Sequence, residues 1–361
     1  MTDPDTRINV TILFGGQSGE HDVSLRSAQT VIRALDPAKY NVRQIGITRD
    51  GGWITSGSPM DALTADSPLF QLAAESPQPT ATTVDVGPPA LSSDTTDVVF
   101  PVLHGPMGED GTVQGMLELA GIPYVGSGVL GSAVAMDKAM ARLVLAQADI
   151  PGARWLLINA NEWATSRSTV LQSVVDQFGL PCFVKPANMG SSVGVSKAHD
   201  EHELLAAIDL AFEYDHRVLV EEAIDGRELE ISVLGNDSPR ASVAGEVVPG
   251  NEFYDFNAKY VDDNSALIIP ADLPEGKLAE MQEIAIRAFR ALDLAGLARI
   301  DFFLERGTNR LLVNEINTIP GFTSISMYPM LWEASGVPLE ALVTELINLA
   351  IERHERKRRV R

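Results

Sequence analysis

The N-terminal part of the chain alternates short apolar runs with segments of helical periodicity. Residues 8–14, 42–47 and 98–103 read as buried strands, and residues 23–35 and 113–119 repeat their apolar positions with helical spacing. Strands that alternate with helices predict an open α/β layer over about the first 125 residues. Residues 56–96, rich in Ser, Thr, Pro, Asp and Ala, interrupt this pattern and predict a partly ordered surface insertion.

The rest of the chain shows two further patterns. A predicted helix over residues 132–148 precedes apolar strands at 181–185, 193–197 and 217–221, with a helix at 201–212 before the last strand. Beyond residue 223 there are strand-like runs at 228–234, 241–248, 266–269, 297–304 and 310–316, a helix over 277–292, and two helices near Tyr328 and Leu339. We therefore predict three units, at residues 1–128, 129–222 and 223–361. The long segment 249–265 is typical of a lid.

Composition limits the classes of partner. The net charge is -21, and binding a polyanion usually requires a basic face, so a nucleic-acid partner is disfavoured. No apolar run approaches the roughly 20 residues that cross a bilayer, and the acidic start lacks the features of a signal peptide, so we expect a cytoplasmic protein without membrane contact. The single cysteine, Cys182, lies in an apolar run and is expected to be a buried thiol. The basic segment 351–361 is expected to be the solvated end of a helix, with a partner contact as the alternative.

The strands at 297–304 and 310–316 carry a candidate metal site. A turn of hairpin composition separates them, so Asp301, Glu315 and Asn317 can converge on one face, with Arg299 alongside. Such oxygen ligands suit Mg²⁺, which commonly keeps sites for substrate phosphates. The cluster therefore predicts a nucleoside triphosphate as the other half of the site. A solvated hairpin with scattered charges is the alternative.

A second candidate site is the loop from Lys185 to Gly194. It is not a P-loop, because the lysine precedes the loop, but its small residues, Ser191 and Ser192 can approach a phosphate. Lys138, early in a helix, is a further candidate for a phosphate contact. An ordinary tight turn and a surface lysine are the alternatives.

Acidic residues cluster at two neighbouring strands. Glu221 and Glu222 end one strand, while Glu228 and Glu230 share a face of the next. These side chains can hydrogen-bond an adenine amino group or ribose hydroxyls. Charges that protect an exposed strand edge are the alternative.

Two glycine-rich turns in the first unit suggest an amino acid pocket. The turn at residues 15–19 lacks the third glycine of a dinucleotide fingerprint and is followed by Glu20, which fits an amine better than a phosphate. The turn that begins at His104 precedes a helix whose N-terminus can receive a carboxylate.

Taken in order, these motifs resemble the D-alanine:D-alanine ligase family of ATP-grasp enzymes over nearly the whole chain. The resemblance rests on Gly15-Gly16-x-Ser18-x-Glu20-His21-x-Val23-Ser24, on His104-Gly105-Pro106-x-Gly108-Glu109-Asp110-Gly111, on the Lys185 to Gly194 loop, and on Arg299-x-Asp301 with Glu315-x-Asn317-Thr318-x-Pro320-Gly321. It implies an ATP-grasp fold of mixed α/β (α+β) class. An N-terminal open α/β domain would precede a central small α+β subdomain and a C-terminal antiparallel-sheet domain.

The resemblance also implies roles in binding ATP and metal. Residues implied at the phosphates are Lys138, Lys185, Ser192 and, from the lid, Lys259. Residues implied around adenine and ribose are Glu221, Glu222, Ile224, Glu228 and Asn314. Asp301, Glu315 and Asn317 would hold two Mg²⁺ ions, for which Mn²⁺ could substitute.

For the amino acid substrates, the resemblance implies that Glu20 takes the amine of a first D-alanine. Val23 and His104 would help to hold that molecule, and Ser191 and Tyr260 would join Glu20 in a hydrogen-bonded triad. The second substrate would meet Ser326 and the Met327 amide, and the oxyanion would meet Arg299 and the Gly321 amide.

The implied activity is ATP-dependent formation of D-alanyl-D-alanine through an acyl phosphate, by a homodimer. Tyr260 favours an amine over a hydroxy acid as second substrate, because D-lactate-using relatives replace this tyrosine. A D-alanine:D-serine or D-alanine:D-lactate ligase, a non-catalytic ATP-binding regulatory protein and a dinucleotide-dependent oxidoreductase are the alternatives.

Overall fold

The computed structural model describes residues 7–65, 84–85, 87, 91, 95–190, 192–248 and 266–359. Ser191, Lys259 and Tyr260, the lid segment 249–265 and much of the 56–96 insertion lie outside these residues. Within the described part, the chain forms three sheets.

The first sheet is the predicted open α/β layer. Its strands are β1 (Ile8–Gly15), β2 (Tyr40–Ile47), β3 (Trp53–Ile54), β4 (Val84–Asp85) and β5 (Val98–Val102), in the order β4-β3-β2-β1-β5. Its helices are α1 (His21–Ala34), α2 (Pro59–Ala65) and α3 (Thr112–Ala120). Strand β1 runs parallel to β2 and β5, and its apolar run is continuous because a central parallel strand is buried on both faces.

The second sheet has four strands, in the order β6-β9-β7-β8. The elements between residues 129 and 222 are α4 (Val129–Met136), α5 (Lys138–Gln147), β6 (Trp155–Asn159), α6 (Ala160–Phe178), β7 (Cys182–Pro186), β8 (Ser196–Ala198), α7 (Glu201–Ala211) and β9 (Arg217–Glu222). The buried apolar residues of α4 and α5 belong to the core of the third sheet, described below. The prediction was incomplete here, because it contained neither β6 nor α6.

The single helix predicted over residues 132–148 is wrong. Asp137 has an extended backbone (φ -81°, ψ 103°) and its side chain accepts a hydrogen bond from Met140 N. It therefore ends α4 and caps α5, which places Lys138 at the first position of a new helix.

The third sheet is antiparallel, in the order β12-β11-β10-β13-β14. Its strands are β10 (Gly226–Gly235), β11 (Arg240–Val248), β12 (Ala266–Ile268), β13 (Gly296–Glu305) and β14 (Leu311–Asn317). Its helices are α8 (Lys277–Ala291), α9 (Met327–Ala334) and α10 (Leu339–Arg359). The buried face of α8 packs against β10 and β13, and the predicted hairpin of β13 and β14 is confirmed.

The C-terminal helix α10 joins the third unit to the first. Its apolar residues share one buried cluster with β1, α1 and β5. Near its end, Arg353 lies 4.3 Å from the centre of the Tyr124 ring, and Lys357 Nζ lies 2.6 Å from Glu118 Oε2. The basic end of α10 is largely exposed. Two of its cations, Arg353 and Lys357, also contact residues of the first unit.

Within the described residues, no single helix has the length and apolar content to cross a membrane; α9 and α10 meet that test only as a pair, bent by 106°.

Candidate active site

Two cavities adjoin between the three units. The first is lined from the first unit by Glu20, His104 and Glu109, and from the third by Arg299 and the segment 315–321. The second runs between the second and third sheets, past Lys185 and Glu221. Residues common to both are Lys138, Met189, Glu230 and Glu315. The two cavities therefore adjoin along these four residues.

The hairpin of β13 and β14 brings the candidate metal ligands together. Asp301 pairs with Glu315 and Arg299 with Asn317 across the two strands. Asn317 Nδ2 lies 3.1 Å from Asp301 Oδ2. The alternative of a solvated hairpin does not hold, because Asp301 is buried and all three ligands line the cavities.

Arg299 lies between two carboxylates. Its Nε and Nη2 each donate to an Asp301 oxygen at 2.7 Å, and its Nε lies 2.8 Å from Glu230 Oε2. Burial alone would lower the Arg299 pKa, but Asp301 and Glu230, with Glu315, raise this pKa well above its usual value. The guanidinium is therefore a permanent cation among three carboxylates.

The chemistry of this donor set fits a divalent cation that also binds substrate. In the described part of the chain, no three His, Cys, Asp or Glu residues converge to hold a metal alone. The set instead offers two carboxylates and one amide oxygen. Three carboxylates surround the single positive charge of Arg299, so the cluster keeps a net negative charge that a cation can balance. Mg²⁺ is commonly held by one or two carboxylates and completed by phosphates and water.

Lys185 is held by a buried ion-pair network. Its Nζ lies 2.6 Å from Glu221 Oε2, while Arg142 Nε and Nη2 donate to Glu221 Oε1 at 3.0 and 2.8 Å. Burial would raise the Glu221 pKa, but Arg142 and Lys185 lower it to about 2. Glu221 is 3% exposed, so it is not a charge on an open strand edge.

Arg142 is a residue that the sequence analysis missed. It follows Lys138 by four residues on α5, so the two side chains share one face of the helix. That spacing was the available signal, but only the fold shows that Glu221 lies opposite. The neighbouring Glu222 also lines the second cavity, and it binds Arg154 through contacts of 2.7 Å to the Arg154 backbone N and Nε.

The other predicted nucleotide residues line the same cavity. Ser192, Ile224, Glu228 and Asn314 lie around the second cavity with Lys138 and Lys185. Lys138 Nζ donates to Met189 O at 2.5 Å, and Asp215 Oδ2 accepts from Asn188 N at 2.7 Å. These contacts fix the start of the glycine and serine loop beside the site.

Glu20 is buried between two glycines. A Cβ atom at Gly105 would lie 3.0 Å from Glu20 Oε2, and one at Gly190 would lie 3.2 Å from it. Glycine therefore occupies both positions, because the two loops approach the Glu20 carboxylate too closely for a side chain to fit easily. Val23 lies one turn further along α1, packed in the buried interior and not on the cavity wall.

His104 lines the first cavity, but protein atoms contact both of its ring nitrogens. Its Nδ1 lies 2.8 Å from Ile319 O, and its Nε2 lies 3.4 Å from Ser27 Oγ. Burial lowers the His104 pKa, so the ring is neutral.

Glu109 was part of a quoted motif but received no role. Its Oε2 accepts from Gly105 N at 2.7 Å and its Oε1 accepts from Ile319 N at 3.0 Å. Burial, together with the nearby charge of Glu20, raises the Glu109 pKa to about 8. This carboxyl connects the first unit directly to the loop after β14.

That loop leads to the predicted second-substrate residues. Gly321, Ser326 and Met327 all line the first cavity. Ser326 precedes α9, and its Oγ accepts from Thr323 N at 3.0 Å. A Cβ atom at Gly321 would lie 2.7 Å from Ser326 Oγ, so the backbone of Gly321 can come this close only without a side chain.

The comparisons with known proteins agree over the whole chain. The family model described as D-ala D-ala ligase N-terminus matches residues 9–127, and that described as D-ala D-ala ligase C-terminus matches residues 144–348. The chain belongs to the D-alanine–D-alanine ligase family. A D-alanine–D-alanine ligase of Heliobacterium modesticaldum is 49% identical over 97% of this chain and 96% of its own length. One from Bacillus cytotoxicus is 46% identical over 99% of both chains.

Solved structures of this ligase family have the same fold. The D-alanine-D-alanine ligase from Coxiella burnetii has a TM-score of 0.82 at 38% identity, covering 98% of this chain and 97% of its own. The VanG D-Ala:D-Ser ligase from Enterococcus faecalis has a TM-score of 0.80 at 33% identity, covering 95% and 99%. The predicted ATP-grasp fold is confirmed.

Proposed function

We propose that this protein joins two D-alanine molecules to D-alanyl-D-alanine, with ATP converted to ADP and phosphate. The observation that carries the proposal is that the two cavities adjoin and share Lys138 and Glu315 in their walls. A nucleotide beside Lys185 would direct its phosphates past Lys138 and Glu315 towards the pocket of Glu20. The names and the identity of the relatives support D-alanine as the substrate.

The proposed reaction has two steps. A carboxylate oxygen of the first D-alanine attacks the γ-phosphorus of ATP, and ADP leaves. The amine of the second D-alanine then attacks the carbonyl carbon of the acyl phosphate, phosphate leaves, and the nitrogen loses a proton. Phosphorylation comes first because a free carboxylate has no adequate leaving group.

Residues of this chain would bind and orient each group. Lys138 and Lys185, with Ser192 and the lid residue Lys259, would contact the phosphates. Glu222, Ile224, Glu228 and Asn314 would surround the base and ribose, and Glu221 would hold Lys185 in place. Mg²⁺ or Mn²⁺, held by Asp301, Glu315 and Asn317, would neutralise charge on the phosphates.

On the amino acid side, Glu20 would bind the first amine, with Ser191 and Tyr260 as its proposed partners. Arg299 and the Gly321 N–H would stabilise the oxyanion, an effect commonly worth about 3 kcal/mol per donor. Ser326 and the Met327 amide would receive the second carboxylate. The dipeptide would serve as a peptidoglycan precursor.

Two experiments test the proposed function. The protein is incubated with MgATP and D-alanine, ADP is followed, and the product is identified by mass. D-alanyl-D-alanine supports the proposal, and ATP binding without ADP release would instead support a regulatory protein. A second reaction supplies D-alanine with D-serine, because the VanG D-Ala:D-Ser ligase shares the fold. A dominant mixed product would reassign the second substrate.

We further propose that the protein acts as a cytoplasmic homodimer, on the basis of the family resemblance. Light scattering at micromolar concentration tests the dimer directly. A monomer mass with full activity would reject it.

A further inference from the structure

We propose that Glu109 and Ser27 are positioning residues which, together with His104, fix the backbone of residues 319–322 and aim the Gly321 N–H at the reacting carbonyl. Glu109, Ser27 and His104, together with the segment 319–322 that they hold, are called the Ile319 clamp below. The inference rests on the proposed function and deepens it. It assigns the oxyanion geometry to side chains of the first unit.

The clamp holds the Ile319 peptide groups from both sides. Its N–H donates to Glu109 Oε1 at 3.0 Å, and its carbonyl oxygen lies 2.8 Å from His104 Nδ1. Three residues on, Phe322 N donates to Ser27 Oγ at 3.0 Å. The loop is therefore fixed at its two ends by side chains of another unit.

The direction of each hydrogen bond follows from the one before it. A carbonyl oxygen only accepts, so His104 must carry its proton on Nδ1 and leave Nε2 as an acceptor. Ser27 Oγ already accepts from Phe322 N, and its own proton can point to His104 Nε2 at 3.4 Å. The polar atoms of His104 and Ser27 are thus used consistently, which is what a buried network requires to be rigid.

Only one backbone donor in this segment is left for a substrate. Pro320 has no N–H, and the N–H groups of Ile319 and Phe322 are bound by the clamp. Among the described residues, the Gly321 N–H donates to no protein acceptor, and Gly321 lines the first cavity. Fixing both neighbours fixes the direction of this donor.

The same clamp connects the two substrate pockets. Glu109 also accepts from Gly105 N at 2.7 Å, and Gly105 is one of the glycines against Glu20. The Glu109 carboxyl group therefore holds both the turn beside the first-substrate pocket and the loop beside the second. A loosened clamp should harm the attack on the acyl phosphate more than the binding of ATP.

The test uses the full chain with Glu109→Gln and Ser27→Ala as separate variants. Glutamine cannot accept from Gly105 N and Ile319 N at once, and alanine leaves Phe322 N without its acceptor. Matched controls are Glu118→Gln, whose carboxylate contacts Tyr124 and Lys357, and Thr30→Ala, whose hydroxyl donates within α1 to Arg26 O. Dipeptide and ADP are measured together, with ATP affinity by calorimetry.

We expect both clamp variants to form dipeptide roughly 10- to 100-fold more slowly, as a misplaced catalytic group does. Their ATP affinity should stay within about twofold, and the ratio of ADP to dipeptide should rise above that of wild type, because the waiting acyl phosphate hydrolyses. The controls should match wild type.

Unchanged dipeptide rates would overturn the clamp. The clamp would also be overturned if the variants kept the wild-type ratio of ADP to dipeptide but bound ATP more weakly and were less stable to heat, because that pattern shows a purely structural role. Failure of the proposed function is a different result: the wild-type protein itself would then form no dipeptide, and the clamp would fall with it.

Discussion

The buried ion pair of Arg142 and Glu221 gives a prediction whose size follows from the structure. In an Arg142→Met variant, Glu221 loses two hydrogen bonds, at 3.0 and 2.8 Å, and keeps only Lys185 at 2.6 Å. The side chains of both acid and arginine are nearly fully buried. The substitution therefore leaves an under-compensated carboxylate out of reach of water.

The cost of the substitution comes from removing one cation from a buried ion pair. Breaking a buried ion pair by removing one partner typically costs about 3–5 kcal/mol. Although burial raises the pKa of Glu221, its two cations lower it to about 2, so together they more than offset the cost of burying the carboxylate. Because Lys185 still balances part of the charge, we expect the free energy of unfolding to fall by about 3 kcal/mol, at the lower end of the range.

Urea unfolding measures this loss, and the chain supplies a matched control. Trp163 is buried in the unit that contains the pair, so tryptophan fluorescence reports its unfolding. Arg154→Met removes the partner of Glu222, but the Arg154 side chain is 63% exposed, and such pairs contribute at most about 1 kcal/mol. Calorimetry on the Arg142 variant should also show weaker ATP binding, because Glu221, which holds Lys185, is then no longer fixed by Arg142.

Acid pH provides a second readout. The Glu221 pKa is lower in the folded chain than in the unfolded chain, so its contribution is complete above about pH 4.5 and is lost as pH falls towards 2. The stability gap between wild type and Arg142→Met should therefore narrow over that range. The reasoning would be refuted if Arg142→Met lost no more stability than Arg154→Met near neutral pH, or if the stability difference between wild type and Arg142→Met widened on acidification.

Three further predictions follow from single contacts. Asp301→Asn removes one of the two candidate ligand carboxylates; we expect calorimetry to show a larger loss of affinity for MgATP than for metal-free ATP, and equal losses for both would count against a metal role. Cys182 is fully buried, and burial raises its pKa to about 11, so iodoacetamide should label it only after unfolding; labelling of the native chain at the unfolded rate would contradict this. Arg353→Ala removes the stacking on Tyr124 and should lower the free energy of unfolding by about 1 kcal/mol, measured by thermal melts. Arg359→Ala removes only an exposed ion pair and should leave stability unchanged, so equal effects of the two variants would contradict the docking of α10.

Sequence patterns predicted the chemical groups of the site better than the residues that hold those groups in place, which are called its supports here. The candidate ligands Asp301, Glu315 and Asn317 lie on two adjacent strands, and a short turn leaves few possible registers, so their convergence was predictable. The turn that begins at His104 was predictable for a similar reason, because residues close in sequence make contacts within it, such as that of Met107 N with Asp110 Oδ2; the approach of Gly105 and Gly190 to Glu20 is long-range and was not predictable in this way.

The supports could not be predicted because their partners are distant in sequence. Glu109 and Ile319 are separated by 210 residues, and Arg142 and Glu221 by 79. The break at Asp137 lies between two apolar helices whose periodicity runs on across it. It depends on local capping and on an ion pair with Arg217 of a distant strand.

The most direct test of the central claim follows the oxygen atoms. D-Alanine labelled with ¹⁸O at both carboxylate oxygens is incubated with the protein and unlabelled MgATP, and the released phosphate is analysed by mass. If a carboxylate oxygen attacks the γ-phosphorus, each phosphate formed with dipeptide carries one ¹⁸O, and the new amide keeps the other. Unlabelled phosphate accompanying dipeptide formation would contradict the acyl phosphate and the reading of this site as a ligase that activates D-alanine.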